Sequence, residues 1–218
     1  MNDLQRDYFR DKNSIVYRFF EKESCADDFT RGKMRIGTFS SIIELPDNVR
    51  GDKGEGSIEY YSGRFHRDSD NPEIKYIARQ MGMVLGEVEG LTIIDCEGGG
   101  FKDAYLMSLT HSYRPDDMKY FGEYCIEIMQ PAKLVLLIGA KLAKNGGVKL
   151  LYDRVIYRDR LYVGTETLPT HPALIKPPTP EYLCQNETRA VWIPKNGGRL
   201  SPVFIDIGDI GQYCRRIN

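Results

Sequence analysis

What most constrains this chain is a succession of short strand-like segments with no regular helices between them. Ser14-Ile15-Val16-Tyr17-Arg18-Phe19-Phe20 is dense in β-branched and aromatic residues, the composition that suits a pleated, half-buried surface. Lys33 to Phe39 alternates Met34, Ile36 and Thr38 with Arg35 and Gly37, the period of two that a strand imposes. Ser57 to Tyr61, Leu91 to Ile94, Ala104 to Leu109 and Tyr124 to Met129 read the same way. Val148 to Val163 reads as a hairpin around Arg158-Asp159-Arg160, and Thr188 to Ile193 and Val203 to Ile207 flank an Asn196-Gly197-Gly198 turn. Helical spacing is confined to Glu23–Phe29 with Ser24 as N-cap, Ile74–Met83, and Ala132–Asn145 closed by Gly146-Gly147. Five prolines between Pro169 and Pro180 mark an extended loop. Nine or ten strands and three or four helices in this order argue against a doubly wound parallel sheet. The expected fold class is α+β, with two facing, mainly antiparallel sheets and a few peripheral helices.

A chain of 218 residues fits a single domain, 1–218, with a possible insertion at 64–102. Thirty basic and 31 acidic residues leave a net charge of −1, so the overall basic field that drives nucleic-acid affinity is lacking. A local basic groove on a neutral protein remains open. Five widely spaced cysteines include no CxxC and no zinc-ligand spacing to His66, His111 or His171. With a polar Met1–Asp7 segment, they indicate reduced, mostly buried thiols in a cytoplasmic protein. The longest apolar run, Leu134 to Ala140, is too short to span a membrane, so no membrane partner is expected. GxSxG, GxxxxGK[ST] and GxGxxG are all absent.

Three constellations carry possible chemistry. In an extended Cys184-Gln185-Asn186-Glu187-Thr188-Arg189, side chains two apart share a face, so Gln185, Glu187 and Arg189 point together. The commoner arrangement for such a face is a solvated edge strand with an ordinary Glu–Arg pair; the alternative is a ligand site. The Arg50-Gly51-Asp52-Lys53-Gly54-Glu55-Gly56 stretch has the glycines an anion-binding loop needs, or is a charged hairpin loop. Arg18, beside Tyr17 in an apolar strand, must emerge at solvent or at a bound anion.

Taken in order, Tyr17-Arg18, Met34-Arg35-Ile36-Gly37-Thr38-Phe39-Ser40, the Arg50–Gly56 stretch, Tyr105-Leu106-Met107-Ser108-Leu109 and Gln185-Asn186-Glu187-Thr188-Arg189 resemble a large bacterial family. That family looks like a branch of the ADP-ribosyltransferase superfamily, some of whose members are toxins in phage defence. The resemblance spans about residues 15 to 192. It implies a split β-sandwich that binds NAD as substrate between two sheets, with no metal or other cofactor. It also implies Glu187 as catalytic carboxylate with Gln185 beside it, and a cofactor-binding set of Tyr17, Arg18, Ser40, Arg50 and Ser108. Arg18 and Arg50 compete for the pyrophosphate, Ser40 and Ser108 for the middle-strand role. Tyr60 and Tyr61 are further candidates to stack on nicotinamide.

The implied reaction is transfer of ADP-ribose from NAD to a macromolecular acceptor, RNA, DNA or protein, with an antitoxin or inhibitor protein as a possible further partner. Two readings stand beside it. One is a non-catalytic binding module on the same fold. The other is a nucleic-acid-processing enzyme using Arg50, Asp52 and Glu55 with a divalent metal.

Overall fold

The computed structural model describes residues 14–46, 52–101, 103–167 and 171–218. Among these, fifteen strands and six α-helices form, more and shorter strands than the nine or ten expected. The first eight strands are β1 (Val16–Phe20), β2 (Lys33–Thr38), β3 (Ser57–Tyr61), β4 (Arg64–Arg67), β5 (Leu91–Ile94), β6 (Glu97–Phe101), β7 (Tyr105–Thr110) and β8 (Tyr124–Ile128). The rest are β9 (Val148–Arg154), β10 (Ile156–Tyr157), β11 (Leu161–Val163), β12 (Ile175–Lys176), β13 (Glu187–Pro194), β14 (Val203–Asp206) and β15 (Cys214–Arg216). The helices are α1 (Glu23–Thr30), α2 (Phe39–Ile43), α3 (Pro72–Gln80), α4 (Pro115–Met118), α5 (Pro131–Leu142) and α6 (Pro180–Leu183). The fold is α+β, and its pairings are antiparallel except for β3–β11 and β10–β12.

Eight strands build the main sheet, and it forks at β7. One edge of β7 pairs along its whole length with β13, from Glu187 opposite Thr110 to Trp192 opposite Tyr105. The other edge is shared: β2 takes the Tyr105–Leu106 end and β1 takes only Thr110. Beyond the fork, β1 continues to β8 and β15, and β2 continues to β14. Met107, Ser108 and Leu109 therefore have no strand partner on that edge among the described residues. Helix α1 connects the two arms and packs Ala26 and Phe29 into the core between them.

Strand alternation decides what each face buries. Met107, Leu109, Val16, Ile126, Ala190 and Trp192 face α5, which presents Leu134, Val135 and Ile138 to them. Trp192 is fully buried and its indole N–H donates to the Val135 carbonyl at 3.3 Å. On the opposite face Leu106 and Val191 pack on Phe39, Ala104 and Ala173. A separate core joins Tyr60, Ile74, Ile77, Ile93, Tyr162 and Ile175. The 64–102 segment thus shares its apolar interior with β3, β11 and β12. Among the described residues no helix is long and apolar enough to cross a membrane.

Four local expectations change. The proline-rich 169–180 segment, expected as an extended loop, forms a 3-10 turn at Pro172–Leu174 and the strand β12 among its described residues, where Ile175 enters the second core. Val148 to Val163 is not a hairpin: β9 pairs with β13 and β11 lies parallel to β3, pairings that bury Tyr152 and Tyr162. Ser24 does not cap α1, whose N-cap is Lys22 with no side-chain bond; the capping box falls on α2, between Thr38 and Ser41. Of the cysteines, only Cys125 and Cys214 are buried, and Cys25 is exposed.

Candidate functional site

The strand expected to run through Gln185 begins two residues later. Gln185 and Asn186 still turn out of α6, their N–H groups donating to the carbonyls of Tyr182 and Leu183. Asn186 has φ +40°, a left-handed conformation that asparagine tolerates better than most residues. From Glu187 onward the chain is extended, so Glu187 and Arg189 share a face while Gln185 reaches the same region from the turn. The strand is also no edge. It lies between β7 and β9, and Glu187 and Arg189 are only 3% and 1% exposed.

Burial forces these charges to pair. Arg189 Nε donates to Glu187 Oε1 at 2.6 Å, and its two terminal nitrogens fork onto Glu55 at 2.5 and 2.8 Å. Its Nη1 also donates to the Ala173 carbonyl at 2.6 Å. Lys176 Nζ lies 2.8 Å from Glu187 Oε2 and donates to Gln185 Oε1 at 2.9 Å. Gln185 Nε2 donates to the Glu181 carbonyl at 2.9 Å, and the Tyr157 hydroxyl accepts the Glu187 N–H at 2.8 Å. Burial alone raises the Glu187 pKa, but the charges and hydrogen bonds of Arg189 and Lys176 outweigh it and hold it down to about 2. The group is a carboxylate at neutral pH.

Glu187 and Gln185 also lie on the wall of a cavity of about 530 Å³ at the fork, together with Tyr17, Arg18 and Ser108. Such a volume falls within the roughly 300–1,000 Å³ of small-ligand sites. Arg18 donates from Nη1 to the Ser108 carbonyl at 2.9 Å, on the edge of β7 that the fork exposes. Its guanidinium sits 5.4 Å from the Phe20 ring centre. Its Nε is buried without a partner, and no carboxylate pairs with it among the described residues. Burial pushes the guanidinium down to about 10, so it stays cationic at neutral pH. A second cavity of about 550 Å³ adjoins the first, sharing Arg18, Phe20, Cys25, Arg35 and Met107.

Other candidates fall elsewhere. Ser40 opens α2, where its N–H and hydroxyl both donate to Asp103 at 3.2 and 2.7 Å. It is not on the cavity wall, whereas Ser41 is. Arg50 lies outside the described residues. Tyr60 is buried in the second core, donating to the Gly164 carbonyl at 2.6 Å, and Tyr61 donates to Asp95. Neither lines the cavity. Asp52 is held by Arg160 and Glu55 by Arg189, so both carboxylates serve as ion-pair anchors. No cluster of three or more His, Cys, Asp or Glu placed to hold a metal occurs among the described residues.

Sequence reasoning missed Lys176 and Tyr157, and did not connect Glu55 with Arg189. Lys176 had a signal, as a lone cation in the apolar Ala173-Leu174-Ile175-Lys176-Pro177 run. The Glu55–Arg189 pair had none, because 134 residues separate its members. Comparison of the chain with protein-family models, with curated proteins and with solved structures finds no match.

Proposed function

We propose that this chain transfers ADP-ribose from NAD to a macromolecular acceptor, on a fold of the split β-sandwich type used by ADP-ribosyltransferases. One observation carries the reading. One cavity at the fork of the sheet is walled by Arg18, which has no acid partner among the described residues, and by Glu187, a carboxylate ionised at neutral pH. Arg18 suits the pyrophosphate, since a guanidinium matches phosphate geometry with charged hydrogen bonds. Tyr17 offers an aromatic face to nicotinamide. As the nicotinamide–ribose bond breaks, its electron pair leaves with nicotinamide and positive charge builds on the ribose. Glu187, accepting a hydrogen bond from the ribose 2′-hydroxyl, stabilises that charge. A nucleophile of the acceptor, RNA, DNA or protein, then bonds to C1′ and loses its proton. Activity of this kind fits a toxin or phage-defence effector restrained by an antitoxin.

A second reading draws on a different observation. Both oxygens of Glu187 are already engaged by Arg189 and Lys176, as in a purely structural ion-pair cluster. On that reading the domain binds a partner or ligand without catalysis.

The test is release of nicotinamide from labelled NAD with a cell lysate, followed by protease or nuclease digestion of the labelled product. Glu187→Gln should reduce turnover by about 10²-fold or more, as loss of a transition-state stabiliser does, with circular dichroism checking that the variant folds. Wild-type turnover in a folded Glu187→Gln protein removes the catalytic reading. NAD binding without turnover in the wild type favours the binding module.

A further inference from the structure

We infer that the two-stranded β10–β12 ribbon is a clamp on the Gln185–Glu187 turn, with Lys176 the positioning residue that holds both side chains in register with the cavity. The inference deepens the catalytic reading above and rests on it for its kinetic arm.

The ribbon is short and parallel, pairing Ile156 with Ile175 and Tyr157 with Lys176. Two residues per strand cannot stabilise themselves, yet its contacts converge on one place. The Tyr157 hydroxyl receives the Glu187 N–H at 2.8 Å, and the Val155 N–H, immediately before the ribbon, donates to the Glu187 carbonyl at 2.9 Å. Lys176 Nζ reaches Glu187 Oε2 at 2.8 Å and Gln185 Oε1 at 2.9 Å. The ammonium also lies 4.6 Å from the Tyr182 ring centre, on the helix that leads into the turn. One cation thus touches both candidate residues and the element that delivers them. Between those residues sits Asn186 at φ +40°. A strained residue persists only where its surroundings over-determine it, and the ribbon supplies that determination from one side.

The geometry also sets the amide of Gln185. Lys176 can only donate, so Oε1 must face it and Nε2 must face the Glu181 carbonyl. Around Glu187 the charged and titratable groups are Arg189 on its own strand, Lys176 and Tyr157 on the ribbon, Glu55 behind Arg189, and Arg18 across the cavity. Lys176 contacts Glu187 and Gln185 together. Removing it takes a cation from Glu187 Oε2, which Arg189 Nη2 still reaches at 3.5 Å, and a donor from Gln185 Oε1, while Arg189 keeps the strand in place.

The experiment compares wild type, Lys176→Met and Lys176→Arg as full chains. Methionine keeps an unbranched stem against Tyr182 and removes the charge. The expected result is a loss of about 10²-fold in kcat for NAD consumption, the scale of an ångström of misplacement, with KM for NAD nearly unchanged. The acid limb of the pH–rate profile should move to higher pH, because Glu187 loses a cation, and arginine should restore part of both. A lysine that only stabilises the fold would lower the melting temperature and leave kcat of the folded Lys176→Met protein at the wild-type value, and that outcome overturns the clamp. A second readout stands apart from turnover: the Glu187 carboxyl carbon, assigned against Glu187→Gln in glutamate-labelled protein, is titrated by NMR. An upward shift of its titration together with displaced Gln185 side-chain amide resonances in Lys176→Met supports the clamp even where wild type consumes no NAD, which would sink the reaction alone; an upward shift with the Gln185 amide unmoved, as any cation at 2.8 Å would give, overturns it. An unchanged titration overturns the clamp.

Discussion

Arg189 spends its guanidinium on two carboxylates and a backbone carbonyl, all within the protein. Removing one member of such a cluster leaves an uncompensated buried charge, which costs far more than the intact cluster contributes. Its pH dependence has a definite sign. The pKa of Glu187 falls from its ordinary value of 4.5 to about 2 in the folded state. Its contribution to stability is therefore fully present above pH 4.5 and is lost as pH drops towards 2. Urea midpoints measured from pH 6 down to pH 2.5 should fall over that window, and the fall attributable to this group should vanish in Glu187→Gln. From the sequence, the spacing of Glu187 and Arg189 already placed them on one face. Whether that face met water or protein was not legible, because burial depends on which strands flank β13.

At the scale of elements, β1 brings Arg18 to the cavity, and its position depends on a close approach at its end. Gly122, just before β8, has φ +124°, and a Cβ there would collide with the Phe20 carbonyl. Gly122→Ala should destabilise the protein by about 1–3 kcal/mol, the usual scale of forced left-handed strain, read as a lower midpoint in chemical denaturation. Should the variant be as stable as wild type, β1 is not held where Arg18 requires. Element identity was largely readable: β1, β2, β3, β5, β7, β8, α3 and α5 lie within a few residues of their expected bounds. Pairing was not. A hairpin reading of 148–163 was natural for two adjacent strand-like runs, yet β9 is held by β13 through seven residue pairs and β11 by β3. Local sequence reports propensity, whereas partner choice is decided by apolar area offered from elsewhere in the chain.

For the molecule as a whole, the fork at β7 is the feature from which a ligand site follows. It leaves a stretch of strand edge unpaired, and Arg18 occupies the gap. A ligand that binds only the folded state raises stability by mass action, about 2.7 kcal/mol at 100 times its dissociation constant. NAD should therefore raise the thermal midpoint of the wild type, and Arg18→Met should abolish the shift. An undiminished shift in that variant would place the anion elsewhere. By itself the sequence determined the α+β class, the period of most strands and the face that Glu187 shares with Arg189, since these follow from local spacing and side-chain chemistry. Tertiary structure alone decided that β13 is interior, that Glu55 and Lys176 close the charge around Glu187, and that Arg18 and Glu187 face one cavity. Those outcomes join residues far apart in the chain, and a strand's alternation states which side chains share a face without stating what that face will meet.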